Sequence, residues 1–395
     1  MTVYSIPAGE SFVDKLAGRL LEETADEPTK LADMLILLPT RRACRALQEG
    51  FLRASEGKPL LLPKLQPLGD DDEEEWAGED IELPPPVPPL SRRLLLTRLV
   101  LQLGGGRGGQ TPSPDQAARL ADELGRLLDQ VQTEELSLAG LAKLVPDDYA
   151  THWQITLDFL TILTDYWPII LAEHGWLDAA ARRVKMLTRR AEAWSANPPD
   201  FPIIAAGSTG SQPATAKLLA AIARLPQGRL VLPGLDRRLT PAEQKQLDHT
   251  HPQYALLQLV RSLDLTPDQV PLWPGCRESE RARWVAEALR PAATTEDWRH
   301  LDPAEAGAAL AGVERLDCPG SREEAAAIAL LMREVLETPA KRAALITPDR
   351  GLARRVAAEL DRFDIEIDDS AGRLLTVTPP GSFLALTARM VAEEF

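Results

Sequence analysis

The chain contains few cysteines and has no long apolar segment. Three cysteines in 395 residues, Cys44, Cys276 and Cys318, are odd in number and far apart, so they predict neither a zinc site nor a disulfide framework. No apolar run approaches the ~20 residues that span a bilayer, and no basic stretch followed by an apolar block marks a signal peptide. These absences predict a cytoplasmic protein without a membrane segment.

Net positive charge is also absent. The chain has 44 Lys and Arg against 59 Asp and Glu, a formal net charge of −15. A uniformly acidic protein repels DNA, so any contact with nucleic acid has to come from local groups of basic residues. Aromatic residues make up only 5% of the chain. Contact with a single strand would therefore be made mainly to its backbone rather than by base stacking.

The first strand–loop–helix pattern lacks the residues that bind phosphate. Val3–Ile6 reads as a strand, Phe12–Glu23 has helical spacing, and the loop between them is Pro-Ala-Gly-Glu-Ser. A working phosphate loop needs several glycines, followed by Gly-Lys-Ser/Thr. Here there is one glycine, acidic Glu10 stands where phosphate would lie, and Lys15 is too far along the helix. The sequence predicts a degenerate nucleotide site.

Strand and helix patterns alternate in two parts of the chain, which predicts α/β domains with parallel sheets. The predicted division is 1–89 and 200–300 for the first α/β domain, 90–199 for a helical insertion with breaks at Pro146, Pro168 and Gly175, and 301–395 for a second α/β domain. Strands are predicted at Met34–Leu38, Leu60–Leu62, Phe201–Ala206, Val313–Leu316, Ala343–Ile346 and Ile365–Ile367. The sequence ends inside an amphipathic helical pattern, which favours a chain that is part of a longer one.

Two groups of basic residues follow predicted strands at the start of a helix. They are Thr40, Arg41, Arg42 and Arg45 in the first domain, and Thr347, Arg350 and Arg354 in the second. Open α/β sheets bind ligands outside the carboxyl ends of their strands, and arginines at a helix N-terminus favour phosphate oxygens. Both groups are therefore candidate DNA contacts. The alternative is a solvated helix face, paired with Glu49 in the first group.

The strand that ends at Ala206 is followed by Gly-Ser-Thr and not by the acidic pair that would hold magnesium in an ATPase. Loss of both the lysine and the acid argues against ATP hydrolysis. Two interpretations of this loop stay open. In one, Thr209 contacts a DNA phosphate at the N-terminus of the next helix; in the other, a Ser or Thr caps that helix in an ordinary turn. A further basic cluster is interpreted as a solvated helix or a subunit contact; it contains Arg182, Arg183, Lys185, Arg189 and Arg190.

The layout of two α/β domains with a helical insertion in the first resembles superfamily 1 helicase motors. A series of motifs along essentially the whole chain resembles, in order, the AddB family of helicase–nuclease subunits. These motifs are Leu35–Ala43, Leu60–Asp70, His152–Gln154, Trp167-Pro168, Ala206–Ser211 with Pro213–Ala216, Leu232–Asp236, His251–Tyr254 and Asp369–Arg373. No single motif decides the match, but the ordered set is specific.

The resemblance implies a helicase-like fold with a degenerate nucleotide site and a role in DNA double-strand break repair. It implies an AddA-type helicase–nuclease subunit as the partner that supplies the motor, binding of single-stranded and duplex-end DNA, and recognition of the Chi sequence. The family's nuclease domain, with an iron–sulfur cluster in many members, lies at its C-terminus. This chain has no carboxylate–lysine nuclease motif and too few cysteines for a four-cysteine cluster.

The chain is therefore predicted to have no catalytic residue and no cofactor of its own. Two other functions stay open. The net charge of −15 is compatible with an interaction scaffold that makes no DNA contact. An α/β enzyme acting on a small nucleotide is the other alternative, but among the candidate loops only arginines would supply a charge partner for its phosphate.

Overall fold

The computed structural model describes residues 1–68, 83–103, 112–138, 160–372 and 374–393. Contacts within the chain divide it into two units, residues 1–311 and residues 312–395. The domain bounds expected at residues 89, 199 and 300 stay predictions. None of the described helices has the length and apolar character needed to cross a bilayer.

One parallel sheet organises the first unit. Its five strands are β1 (Val3–Ile6), β2 (Leu35–Leu38), β3 (Lys64–Pro67), β4 (Ile203–Ala206) and β5 (Gly228–Pro233), in the order β1-β5-β4-β2-β3. The prediction of an α/β fold with a parallel sheet is confirmed. The short strand predicted near Leu60–Leu62 occurs two residues later, as β3; residues 60–62 themselves precede it, and Leu61 is exposed. Pro67 is tolerated in β3 because β3 is an edge strand.

The two units also contain α-helices, which are connected by loops and short 3-10 segments. In the first unit they are α1 (Phe12–Glu23), α2 (Thr29–Ala32), α3 (Arg41–Ala54), α4 (Pro89–Leu103), α5 (Pro114–Thr133), α6 (Trp167–His174), α7 (Ala179–Ala196), α8 (Pro213–Arg224), α9 (Pro241–Gln246), α10 (Tyr254–Ser262), α11 (Glu280–Ala288) and α12 (Pro303–Ala309). In the second unit they are α13 (Ser321–Leu336), α14 (Arg350–Asp361) and α15 (Pro379–Ala392).

Between residues 90 and 199, where the sequence predicts a helical insertion, the described residues are mainly helical, but one of the predicted breaks is absent. Pro168 does not break the helix, because it is the second residue of α6, and a proline in the first turn of a helix removes no required N–H donor. A π-helical stretch, Ile162–Tyr166, directly precedes α6. Gly175 does end α6, in the left-handed conformation at φ 64° that glycine adopts without strain. The break predicted at Pro146 lies outside the described residues.

Side chains alternate across the sheet and bury both of its faces. Leu35 and Leu37 of β2 point into one core, and Ile36 and Leu38 point into the other. Helices α1 and α3 cover the second face, while α7, α8 and α10 cover the first. Because both faces are covered, β2 and β4 read as continuous apolar runs rather than as alternating ones.

The placement of the helices creates two crevices at the carboxyl edge of the sheet. The helices that follow β1 and β2 lie on one face, and those that follow β4 and β5 lie on the other. In the neighbouring pairs β2/β4 and β1/β5, the chain therefore leaves the two strands toward opposite faces. Open α/β sheets bind ligands in such crevices. We call them the β2/β4 crevice and the β1/β5 crevice.

The second unit packs α13 against α14 but contains no strand in its described residues. Ala329, Val356 and Leu360 are among the side chains that form its small core. The three strands predicted at 313–316, 343–346 and 365–367 are wrong for these residues: the segments are extended, but no backbone hydrogen bond described there joins them. Leu345 packs on the helices while Ile346 is 94% exposed. The alternation of buried and exposed side chains is therefore present, but the hydrogen bonds of a β-sheet are absent from the described residues of this unit.

A buried carboxylate joins the helices between β3 and β4. Asp178 is 1% exposed, and its Oδ1 lies 3.0 Å from Nε of Arg92 on α4. Its Oδ2 accepts hydrogen bonds of 2.9 Å from Nε2 of Gln132 on α5 and from Nε1 of Trp167 on α6. Arg92 also pairs with Asp129 at 2.8 Å. Asp178 immediately precedes α7, so this network links α4, α5, α6 and α7.

We predict that Asp178→Ala lowers the free energy of unfolding by about 3 kcal/mol, because it removes a buried counter-charge of the Arg92 guanidinium and two hydrogen bonds. The matched control is Asp122→Ala, which breaks the exposed 2.9 Å pair with Arg93 and should cost at most about 1 kcal/mol. Chemical denaturation followed by tryptophan fluorescence measures both. Equal losses in the two variants would contradict a stabilising role for the buried network.

Candidate nucleic-acid interface

The β2/β4 crevice brings two of the predicted contact loops together. Gly207, the first residue after β4, has φ +77°, and a Cβ built on it would lie 3.7 Å from Cδ of Pro39, the first residue after β2. The same Cβ would lie 3.4 Å from the ring of Phe12. Glycine is required here because an L side chain rarely adopts this backbone conformation. Thr40 and Thr209 therefore lie in neighbouring loops at one edge of the sheet.

Thr40 caps the N-terminus of α3. Its backbone is extended at φ −148°, and its hydroxyl accepts a 3.1 Å hydrogen bond from the N–H of Ala43. Arg41 and Arg42 form the first turn of the helix and Arg45 lies one turn later; all three are exposed. The predicted group is thus assembled where the partial positive charge of a helix N-terminus adds to that of the guanidinium groups. Whether DNA binds there stays a prediction.

The loop after β4 is not a simple cap. Helix α8 begins at Pro213 and its N-cap is Gln212, which makes no side-chain capping bond. The interpretation that a Ser or Thr caps this helix is therefore wrong. The hydroxyl of Ser208 accepts a 3.3 Å hydrogen bond from the N–H of Gly210, while Thr209 is half-buried beside it. The phosphate contact proposed for Thr209 stays a prediction.

The second predicted group lies in the second unit and is partly neutralised. Arg350 forms a two-pronged pair with Asp369, with guanidinium-to-carboxylate distances of 3.0 and 2.7 Å. The hydroxyl of Thr347 accepts a 3.1 Å hydrogen bond from the N–H of Asp349, which caps α14. Arg354 is exposed on the same helix. A phosphate would have to compete with Asp369 for Arg350, and its contact with this group stays a prediction.

The basic cluster on α7 is largely structural. Arg182 and Arg190 are each 5% exposed, so the interpretation as a solvated helix is wrong for both. Nε of Arg182 donates to the carbonyl of Pro84 at 3.1 Å, and the guanidinium of Arg190 lies 4.8 Å from the ring centre of Trp194. The sequence did not reveal this because their burial depends on the segments that pack over α7.

The loop after β1 is closed by another part of the chain. Glu10 pairs with Lys15 at 3.3 Å, and its other oxygen accepts a 3.3 Å hydrogen bond from the N–H of Arg277. Nζ of Lys15 donates to the carbonyl of Gly275 at 3.3 Å. Residues 273–279 therefore lie over the loop, whose lysine is already bound to a carboxylate. Phosphate would meet Glu10 rather than a free cation.

Over the described ranges, no group of three or more His, Cys, Asp or Glu side chains is arranged to hold a metal ion. The motif residues His152–Gln154 and Arg373 lie outside those ranges.

Sequence reasoning missed the β1/β5 crevice. There the structure gathers Asp236, which follows β5, with Glu243 and Arg290 from segments that are distant in sequence. The one signal was Asp236 itself, a carboxylate three residues beyond a strand whose carboxyl end lies at the ligand-binding edge. Its other neighbours give no sequence signal, because they are brought there by the packing of α9 and α11.

Compared with models of known protein families, the chain matches none, and a search of curated proteins returned no match either. The likeness to AddB-type subunits therefore rests on the ordered motifs in the sequence. The parallel α/β sheet is compatible with it.

We predict that Thr40→Ala lowers the free energy of unfolding by about 1 kcal/mol, because it removes the N-cap of α3, whereas Thr40→Ser keeps the hydroxyl and is nearly neutral. Thr209→Ala is the control, since Thr209 does not cap α8. Thermal unfolding of the three variants measures the difference. A loss for Thr209→Ala as large as that for Thr40→Ala would contradict these assignments.

Proposed function

We propose that this chain is the non-catalytic, helicase-like part of an AddB-type DNA repair subunit, and that it binds the backbone of single-stranded DNA at the β2/β4 crevice. The observation that carries the proposal is the exposed Arg41-Arg42 pair in the first turn of α3, behind the Thr40 cap and beside the loop after β4. Duplex-end binding, Chi recognition and docking of an AddA-type subunit are proposed with it, on the resemblance of the motifs.

Charge explains why this crevice is the favoured place. The chain as a whole carries −15 and repels DNA, so attraction has to be focused. Two adjacent arginines at a helix N-terminus combine fixed charge with helix-end partial charge, and both act on phosphate rather than on bases. Binding of this kind is independent of sequence and sensitive to salt. Any preference for Chi has to come from contacts beyond this crevice.

The closed loop after β1 argues against an enzyme that uses nucleotides. The acidic side chain of Glu10 holds Lys15, and the backbone of residues 273–279 fills the adjacent space. No carboxylate follows β4 among residues 207–212. The sites for phosphate and for magnesium are thus both unsuited to their ligands, which supports a binding role without ATP turnover.

A protein-interaction scaffold is the second candidate, and one observation favours it. Five large apolar side chains of α15 are each more than half exposed: Phe383, Leu384, Leu386, Met390 and Val391. Exposed apolar groups of this size are typical of protein contact surfaces. The scaffold differs from the main proposal in needing no contact with DNA.

We predict that reversing Arg41 and Arg42 together (Arg41→Glu, Arg42→Glu) weakens single-stranded DNA binding equally for all sequences. Each phosphate contact contributes a slope near −0.7 to log affinity against log salt, so the slope should flatten by roughly one to two contacts. Fluorescence anisotropy with oligonucleotides of several sequences, over a series of salt concentrations, measures both quantities.

The matched control is Arg119→Glu with Arg126→Glu, two exposed arginines of α5. It changes the net charge of the chain by the same amount. It therefore measures how much DNA affinity is lost through net charge alone, with the crevice unchanged. If the Arg41/Arg42 reversal has no larger effect on affinity or salt slope than the control, DNA does not bind in this crevice. The protein-interaction scaffold then becomes the favoured function.

We predict that the chain neither hydrolyses ATP nor is stabilised by it. In the presence of single-stranded DNA and magnesium, turnover should stay below ~0.1 per second, well under ordinary enzyme rates. MgATP should leave the melting temperature unchanged, since a ligand stabilises only a state that it binds. Turnover above this rate that is abolished by a substitution in the loop after β1 would contradict the proposal of a non-catalytic role.

A further inference from the structure

A cavity of about 170 Å³ lies in the β1/β5 crevice. Its floor is formed by Pro7 and Ala8 after β1 and by Gly234 and Leu235 after β5, and α11 closes it from the side. An engineered cavity of about 150 Å³ holds benzene, so this one has room for a ligand of roughly six to eight non-hydrogen atoms. Its position matches the place where open α/β sheets bind ligands.

One wall of the cavity is apolar. Helix α11 contributes Ala282, Val285 and Ala286, and Leu289, which follows the helix, and Leu239 complete the wall. Such a wall accepts a short hydrocarbon stem, while a small number of polar groups fix the orientation of a ligand.

The arginines of the cavity already have anionic partners. Arg290 contacts Glu243 at 2.6 Å and also pairs with Glu287 and Asp297. Arg283 lies 3.2 Å from Glu305. The third, Arg238, lies 3.8 Å from Glu278. None of the three is therefore a ready partner for an anionic ligand.

Asp236 is the exception among the charged groups. Its Oδ1 accepts a 3.0 Å hydrogen bond from the N–H of Arg238, but no ion pair to it occurs among the described residues. Burial raises the pKa of this carboxyl above its ordinary value; the N–H and the charge of Arg238 oppose that shift, and the charges of Glu243 and Glu278 add to it. A half-buried carboxylate that no described cation contacts directly gains from a ligand that supplies such a contact.

The ring of His251 adds no positive charge to this balance. Its Nε2 must donate the 2.7 Å hydrogen bond to the carbonyl of Leu289, and its Nδ1 accepts one of 3.1 Å from the N–H of Gln253. These two bonds select the neutral ring. The lining therefore has four carboxylates, Asp236, Glu243, Glu278 and Glu287, against three arginines, which leaves one negative charge in excess.

We propose that the β1/β5 cavity binds a small organic cation, an alkylguanidinium or alkylammonium group on a short stem, with Asp236 as its counter-ion and the α11 wall around the stem. The proposal is independent of the DNA-binding function and concerns a different crevice. Phosphate and carboxylate ligands are disfavoured there, because they would meet the carboxylate of Asp236 and arginines that already have anionic partners.

The probe is n-propylguanidinium, which has seven non-hydrogen atoms, titrated into the whole chain and followed by ligand-observed NMR. From the efficiency of small ligands, the expected Kd is on the order of 1–10 mM. Butyrate and inorganic phosphate are the anionic comparisons and should not bind. N-acetyl-arginine amide carries the same head group on a peptide backbone; it should bind more weakly if the ligand is a free molecule and at least as well if the source is a protein side chain.

Asp236→Asn keeps the acceptor for the N–H of Arg238 and removes the charge, so it should weaken binding by roughly 10-fold or more. Asp26→Asn, at an exposed turn outside the cavity, is the control and should leave the Kd unchanged. Ala286→Leu fills the wall and should abolish binding even if the Asp236 variant folds poorly. Circular dichroism checks the fold of each variant.

Binding should also weaken as pH falls. The ligand needs the charged carboxylate, which is lost as pH falls through the raised pKa of Asp236, at a higher pH than for an ordinary aspartate near 3.8. The proposal is overturned if butyrate or phosphate binds as tightly as n-propylguanidinium, if n-propylguanidinium does not bind at all, or if the folded Asp236→Asn or Ala286→Leu variant keeps the full affinity.

Discussion

The parallel direction of the five strands is the constraint on which the rest of the first unit depends. Parallel strands require crossover connections, so both faces of the sheet are covered by helices and every strand ends at the same edge. The helices after β1 and β2 lie on one face and those after β4 and β5 on the other. This division alone fixes where the crevices lie, before any side chain in them is considered.

Side-chain charge then makes the two crevices unlike each other. The β2/β4 crevice presents exposed Arg41 and Arg42 at a helix N-terminus. The β1/β5 crevice presents Asp236, and the loop after β1 carries Glu10 close by. A phosphate backbone at this edge would be attracted at one crevice and repelled at the other. The two crevices thus differ in local charge, although the net charge of the whole chain is strongly negative.

Local patterns predicted the first unit well. Helix α1 occurs where the apolar spacing of Phe12–Glu23 predicted it, because such spacing is a local property of the sequence. The extended segments of the second unit failed as strands, because a ladder needs a neighbouring backbone that no local pattern specifies. Arg41 and Arg42 could be placed at the sheet edge because they directly follow β2. The cavity could not be found, since Ala8, Asp236 and Ala286 come from distant parts of the chain.

The closure of the loop after β1 also limits how a nucleotide site could be regained. Three contacts hold it: Glu10 to Lys15, Glu10 to the N–H of Arg277, and Lys15 to the carbonyl of Gly275. Removing Glu10 would free the lysine from its carboxylate but leave residues 273–279 in place and add none of the missing glycines. Displacing that segment would in turn disturb Trp273, which is buried in the core beneath α1 and donates to the carbonyl of Lys15. No single substitution therefore restores phosphate binding at the loop after β1.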